Sequence, residues 1–203
     1  MLPARPPPLL LSAGHVRMRI AQVAPLAESV PPKLYGGTER VVSYLTEELV
    51  SLGHDVTLFA SGDSHTSAHL VPMCPRALRL AGDSHDPLAY HVAMVERVRR
   101  MQSQFDVIHN HIEHLPMPAL GRALPPLLTT LHGRLDGPEF ECVYREFSDL
   151  PVVSISAAQR SALPWMNWIA TVHHGLPEVL LPAVVKPGGY LAFLGRISPE
   201  KGP

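Results

Sequence analysis

The chain has 203 residues, 46% of them hydrophobic and 17% charged, with a formal net charge of -1. That length supports one full hydrophobic core and part of a second, and the charge balance supplies none of the basic field through which nucleic-acid binders meet phosphates, so no nucleic-acid partner is expected. No apolar run approaches the roughly 20 residues that cross a bilayer. The two cysteines, Cys74 and Cys142, lie far apart without metal or redox spacing, which predicts buried thiols in a reducing compartment.

Residues 1–17, MLPARPPPLLLSAGHVR, hold four prolines and a leucine run too short for a signal sequence, and are expected to be a disordered extension. MRIAQVAP from Met18 reads as the start of the fold, with Met18 as an alternative initiator. From there apolar runs alternate with helix-like stretches. Strands are predicted at 19–25, 55–61, 105–110, 127–133, 151–157 and 169–175, and helices at 38–52, 86–104 and 113–122. This alternation predicts an α/β fold, a Rossmann-like parallel sheet with helices on both faces. Continuous apolar strands agree with burial on both sides.

In the first helix Val41, Leu45, Leu49 and Leu52 recur at helical spacing, and Gly53 follows as a C-terminal stop. In 86–104 the stripe is Leu88, Val92, Val95 and Val98, with Arg97, Arg99 and Arg100 near the end where the helix dipole favours cations. Residues 62–85 are turn-rich around one minor strand. Residues 176–189, with three prolines and a closing glycine pair, read as a linker. After it comes a new strand and the start of another motif, YLAFLGRISPEKGP (190–203), whose orphan strand 190–195 offers an unpaired edge for self-association.

Several strand ends carry chemistry. Gly36 and Gly37 stand between the first strand and its helix, at the carboxyl edge where open α/β sheets place ligands. Their bare backbone lets a phosphate or sugar come close to the helix N-terminus. GGTER matches no nucleotide-binding fingerprint, however, so a plain turn and a ligand loop both remain open. Thr38, Glu39 and Arg40 follow, with Glu39 either facing the crevice or complementing the helix dipole. HNHIEH brings His109, Asn110, His111 and His114 to the end of the strand FDVI. A His109/His111 metal pair would need further ligands, with His132 and His173 as candidates, and the alternative is a polar crevice wall. TTLHG ends a strand at His132, and SISAAQR presents Ser154, Ser156 and Arg160. A helix cap and a ligand contact are equal readings of Ser156. GRISPEKG sets Arg196 and Lys201 beside a prospective helix start, a good diphosphate clamp or an ordinary charged turn.

Taken in order, MRIAQVAP, YGGTERVVSYLTEELVSLGHDVTLFASGDS, DVIHNH, TTLHG, VSISAAQR, HHGLP and FLGRISPEKG resemble family-4 glycosyltransferases over roughly residues 18–203. The resemblance implies a retaining enzyme of the GT-B fold. Residues 18–175 would then be its N-terminal, acceptor-side domain, 176–189 the linker, and 190–203 the beginning of a donor-binding domain. It implies that Gly36 and Gly37 form the glycine loop and that His132 lines the donor sugar and helps stabilise the transition state. Arg196 and Lys201 would neutralise the diphosphate leaving group. Thr38, Glu39, Arg40, Asn110, His111, Ser156 and Arg160 are the candidate crevice residues.

No metal and no cofactor are expected. The partners implied are a nucleotide-diphosphate sugar and a small-molecule, lipid or glycan acceptor. The expected setting is cytoplasmic, with peripheral attachment to the inner face of the membrane as a variant. The E-x7-E donor motif of the family does not follow within the chain, so the 203 residues alone are expected to have little or no transferase activity. A non-catalytic binding remnant, a metal-dependent hydrolase using His109 and His111, and an epimerase-like hydrolase are the alternatives.

Overall fold

The computed structural model describes residues 16–80 and 86–177, with the isolated residues 180, 189, 193 and 197. The expected N-terminal extension up to residue 15, nearly all of the linker, and the segment carrying Arg196 and Lys201 lie outside the described residues.

Strands β1 (Arg19–Val23), β2 (Asp55–Ala60), β3 (His69–Pro72), β4 (Val107–Asn110), β5 (Leu127–Thr130), β6 (Val152–Ser154) and β7 (Trp168–Thr171) form one sheet in the order β3-β2-β1-β4-β5-β6-β7. Every pairing is parallel. Helices α1 (Gly37–Ser51), α2 (Pro87–Met101), α3 (Met117–Leu120), α4 (Pro138–Glu146) and α5 (Ala157–Arg160) connect them. The direction of travel through the sheet reverses between β1 and β4. That is the switch point at which open α/β sheets bind ligands beyond the strand carboxyl ends.

The two faces of the sheet are covered unequally. Alternate residues of the central strands, Ala21, Val23, Phe59, Ile108, Leu127 and Val152, share one buried cluster with Met94, Val95 and Val98 of α2, Met117 and Leu120 of α3 and Tyr144 of α4. The opposite side chains Leu58 and Ala60 form a small second cluster with Val42 of α1. Three helices therefore cover one face, and α1 covers part of the other.

Helix α1 does not seat itself on its apolar stripe. The side chains it buries are Glu39, Val42, Ser43 and Thr46, while Val41 and Leu45 line an open groove and Leu52 is 37% exposed. Small Ser43 and Thr46 take the positions nearest the sheet, and the bulkier aliphatic residues are left along the helix flank. Helix α2 is rotated likewise. It buries Met94, Val95 and Val98 and leaves Leu88 and Val92 more than half exposed. Arg99 and Arg100 are taken up by Glu96, at 2.6 and 2.8 Å.

The expected helix over 113–122 shrinks to the single turn α3, because Pro116 and Pro118 crowd it. Helix α4, for which the sequence pattern offered no expectation, forms on a Pro138 start with Glu139 and Glu141 in its first turn. Cys74 is buried, but Cys142 is exposed, on α4, against the expectation of two buried thiols. Among the described residues no helix is long and apolar enough to cross a membrane.

The end of α1 follows the predicted stop. Gly53 takes φ +88°, its N–H donates to the Val50 carbonyl at 2.9 Å, and the His54 N–H reaches back to the Leu49 carbonyl at 3.1 Å. These are the two bonds of a Schellman turn. An L side chain in that left-handed conformation costs roughly 1–2 kcal/mol, so Gly53→Ala is expected to lower the urea-unfolding free energy by about that amount. An unchanged unfolding midpoint would contradict this account.

Candidate functional site

The β1–α1 loop is anchored from both sides. The Ser64 hydroxyl accepts the Val30 N–H at 2.9 Å, the Leu78 N–H donates to the Leu26 carbonyl at 2.9 Å, and Arg79 forms an ion pair with buried Glu28 at 3.2 Å. The Arg79 guanidinium also sits over the Tyr35 ring, 5.2 Å from its centre. The two glycines at the loop's end are not equivalent. Gly36 has φ +150°, and a Cβ on it would fall 2.7 Å from Cβ of Pro32, whereas a Cβ on Gly37 would meet nothing within 4 Å.

The residues after the pair divide. Thr38 is half-buried at the helix start. Arg40 turns back to the Leu34 carbonyl at 3.4 Å. Glu39 is not a crevice residue, being 4% exposed and packed beneath Gly36. Burial raises its pKa, while the backbone N–H groups of Glu39 and Glu28 hydrogen-bond its carboxylate and pull the other way. It serves to tie the loop to the helix.

At the end of β4 the structure separates the residues of HNHIEH. Asn110 is fully buried and shapes the turn: its amide donates to the Glu113 carbonyl at 2.7 Å and to Thr129 Oγ1 at 3.1 Å, and its Oδ1 accepts the Ile112 N–H at 2.9 Å. It is therefore no crevice contact. His114 packs between Phe140 and Tyr144, away from the other histidines. His109 and His111 project to the α1 face, as their spacing of two requires, with ring centres 4.1 Å apart.

The same alternation brings Gln22 of β1, Thr130 of β5 and His132 just beyond β5 to that face. His111 Nδ1 lies 2.9 Å from His132 Nε2, and His132 Nδ1 lies 3.2 Å from Nε2 of His174. Both nitrogens of His111 are engaged, with Gln22 and His132. Among the described residues no group of three or more His, Cys, Asp or Glu side chains could hold a metal ion.

Glu113 supports His132 from below. It is the one non-glycine among the described residues with positive φ, at 55°. Its carboxylate accepts the backbone N–H groups of His132 and Gly133, both at 3.0 Å, and the Tyr144 hydroxyl at 3.3 Å. Burial raises the Glu113 pKa against those stabilising bonds. From the other side the Gln159 amide donates to the carbonyls of Leu131 and Gly133, at 3.0 and 2.8 Å. The His132 loop is thus clamped between the Glu113 carboxylate, in the turn after β4, and an α5 amide. Spacing alone had not singled out Gln22, Glu113, Tyr144, Gln159 or His174. A Glu three residues past a strand end was the one readable hint.

Two cavities adjoin His132. One of about 450 Å³, with a mixed polar and apolar lining, lies between the 132–136 loop and α5 and is walled by Ser156, Gln159 and Asp136 among others. The second, about 470 Å³, is a largely apolar groove running from α1 over Leu128 and Val153 to His173 and His174. Ser156 borders the first cavity and also caps α5, accepting the Gln159 N–H at 3.1 Å. The capping reading of that serine therefore holds. Arg160 is drawn the other way, to Thr171 Oγ1 at 3.2 Å and over the Trp168 ring. Ser154 is buried and hydrogen-bonded with Thr171 at 2.7 Å.

Burial holds the imidazoles neutral. It lowers the His109 pKa to about 4 and that of His132 to about 3, the latter aided by His174 and His109. His111 is driven well below its ordinary value, first by burial and then by its three imidazole neighbours. Because these folded-state values lie beneath the unfolded value of about 6.5, their contribution to stability is complete above that pH and is lost as pH falls toward the folded values. Glu113 and Glu39, with raised values, bind protons more readily in the fold and oppose the loss in the acid range.

The urea midpoint is expected to fall between pH 7 and pH 5, and a constant or rising midpoint would refute the neutral cluster. For the loop, Gly36→Ala is expected to cost on the order of 1–3 kcal/mol and Gly37→Ala far less. Equal unfolding temperatures for the two variants would contradict the assigned loop geometry.

No curated protein matches the chain. Solved structures that resemble it include two glycosyltransferases. One is AviGT4, a glycosyltransferase involved in avilamycin A biosynthesis, at 21% identity and TM-score 0.46, covering 71% of this chain and 38% of that one. The other is a glycosyltransferase from Rickettsia africae ESF-5, at 19% identity and TM-score 0.45, covering 74% of this chain and 40% of that one. This chain thus spans about two fifths of the length of either. A model of glycosyltransferase family 4 matches residues 35–181, from the glycine loop to just past the histidines that follow β7. With well over half of its residues matched, the chain belongs to glycosyltransferase family 4.

Proposed function

We propose that this chain supplies the acceptor-side half of a retaining transferase that moves a hexosyl group from a nucleotide-diphosphate sugar to an acceptor hydroxyl. The observation that carries the reading is the match to the family over 35–181, within which Gly36 and Gly37 open α1 after β1 and His132, just beyond β5, borders a cavity. In this reading the bond from the anomeric carbon to the diphosphate oxygen breaks. The acceptor oxygen attacks the same face, and its proton passes to the departing phosphate. Arg196 and Lys201 neutralise the charge on that phosphate, doing the work a metal would otherwise do. His132, neutral and clamped by Glu113 and Gln159, lines the donor sugar and needs no rearrangement when charge develops there. The glycine loop closes toward the diphosphate, with room at Gly37 for a close approach.

A second reading is a non-catalytic sugar- or nucleotide-binding protein. The metal-dependent hydrolase using His109 and His111 finds no support, since both nitrogens of His111 are already hydrogen-bonded.

The test is a transfer assay across nucleotide-diphosphate sugars, run on the 203-residue chain and on the product of any reading frame that continues past codon 203. The continued protein is expected to transfer with the donor's anomeric configuration kept, as read by NMR of the product. His132→Ala should lower its kcat by on the order of 10²-fold, and the 203 residues alone should give little or no turnover. Inversion of configuration would overturn the retaining reading. Normal turnover by the short chain would overturn the half-site reading, and a genuine stop codon would favour the binding protein.

A further inference from the structure

Six side chains from the switch point outward form one unbranched row of hydrogen bonds: Thr130, His109, Gln22, His111, His132 and His174. The contacts run His109 Nε2 to Thr130 Oγ1 at 2.8 Å, Gln22 Nε2 to His109 Nδ1 at 3.4 Å, and Gln22 Oε1 to His111 Nε2 at 2.7 Å. They continue from His111 Nδ1 to His132 Nε2 at 2.9 Å and from His132 Nδ1 to His174 Nε2 at 3.2 Å. Gln22 is fully buried and stands opposite His109 in the parallel β1–β4 register, so its amide has these two imidazoles as its neighbours at the strand centre.

A neutral imidazole carries one donor and one acceptor, and a glutamine amide ends in one acceptor oxygen and one donor nitrogen. Each link in a row of such groups therefore dictates the next. Oε1 of Gln22 can only accept, so His111 carries its proton on Nε2 and has a bare Nδ1. That bare nitrogen accepts the Nε2–H of His132, whose own Nδ1 is then bare and accepts from His174. On the other arm the amide nitrogen donates to Nδ1 of His109, whose Nε2–H donates to Thr130. Turning the amide over would reverse every link at once.

The geometry points to Gln22 as a positioning residue that sets the direction of this row and so presents His132 to the site as a hydrogen-bond acceptor through Nδ1. A ligand group that takes the place of His174 there must bring a donor, such as a sugar or acceptor hydroxyl, and a phosphate oxygen is excluded from that position. The selectivity for a hydroxyl rests on the reading of His132 as ligand-facing, whereas the tautomer itself does not. Burial keeps His109, His111 and His132 uncharged, which a one-proton-per-ring row requires. His173, after β7, and Glu48, on α1, border the same groove and take no part in the row.

The test is a long-range proton–nitrogen NMR spectrum of the histidine rings in the ¹⁵N-labelled 203-residue chain at neutral pH. It reads the tautomer directly and is independent of transfer activity. The expected result is His109, His111 and His132 each with the proton on Nε2. In Gln22→Met, of similar length but without donor or acceptor, His111 Nε2–H loses its buried acceptor, and both tautomers are expected at His111 and His132. In Thr130→Val, which removes only the far anchor of His109, those two rings should stay on Nε2. His132 protonated on Nδ1 in the unaltered chain would overturn the assigned direction. An unchanged pattern in Gln22→Met, or a switched one in Thr130→Val, would remove Gln22 as its determinant. Should Gln22→Met fail to fold, the other two spectra still decide.

Discussion

Strand β1 is paired on both sides, with β2 from Arg19↔Asp55 and with β4 from Ile20↔Val107, and the placement of every other functional group follows from that double pairing. Its parallel register aligns the carboxyl ends of the strands along one edge. It also puts Gln22 against His109, and the His111 N–H donates to the Val23 carbonyl at 3.0 Å. A slip of one residue would send Gln22 to the opposite face, among the aliphatic side chains packed under α2. The sheet's buried polar row and its glycine loop thus share one register.

Unequal coverage of the sheet is what lets such a row exist. The face under α2, α3 and α4 is packed with aliphatic and aromatic side chains and would impose the full cost of desolvation on an unpaired imidazole. On the other face α1 helps bury Gln22 and His111, while the groove beside it is bordered by Thr130, His109, His111, His132 and His174, so the row lies along the groove with Gln22 buried at its centre. Buried polar groups are tolerable only when each is satisfied, and here each link supplies one donor and one acceptor. The Glu113 clamp follows the same logic, since its carboxylate is buried but faces two backbone donors and a phenol. The positive φ at Glu113 is a local strain whose return is the fixed position of His132.

Much of the architecture was legible from pattern. Apolar runs punctuated by glycines and prolines identified the strands, and Gly53 marked the end of α1, because strand burial and helix termination are local requirements. The helix faces were less legible. Val41 and Leu45 sit at ideal helical spacing, yet Ser43 and Thr46 are the residues against the sheet, since a helix approaches closely through its small side chains. Helix α4 had no long apolar stripe to reveal it and depends on Tyr144 reaching the core. Among the candidate site residues, the strand-end positions of His111 and His132 could be read from the sequence. It could not tell that Asn110 is consumed by its own turn, that Glu39 lies beneath Gly36, or that Arg160 turns toward β7.

By itself the sequence determined the fold class, the family motifs in their order and the glycine at position 36, because backbone conformation and hydrophobic burial are written in residue type and spacing. Only the tertiary structure decided which polar side chains meet. Gln22 and His111 are 89 positions apart, and Glu113 reaches the His132 N–H across 19. Such pairings depend on strand order and register, which no local run of residues encodes.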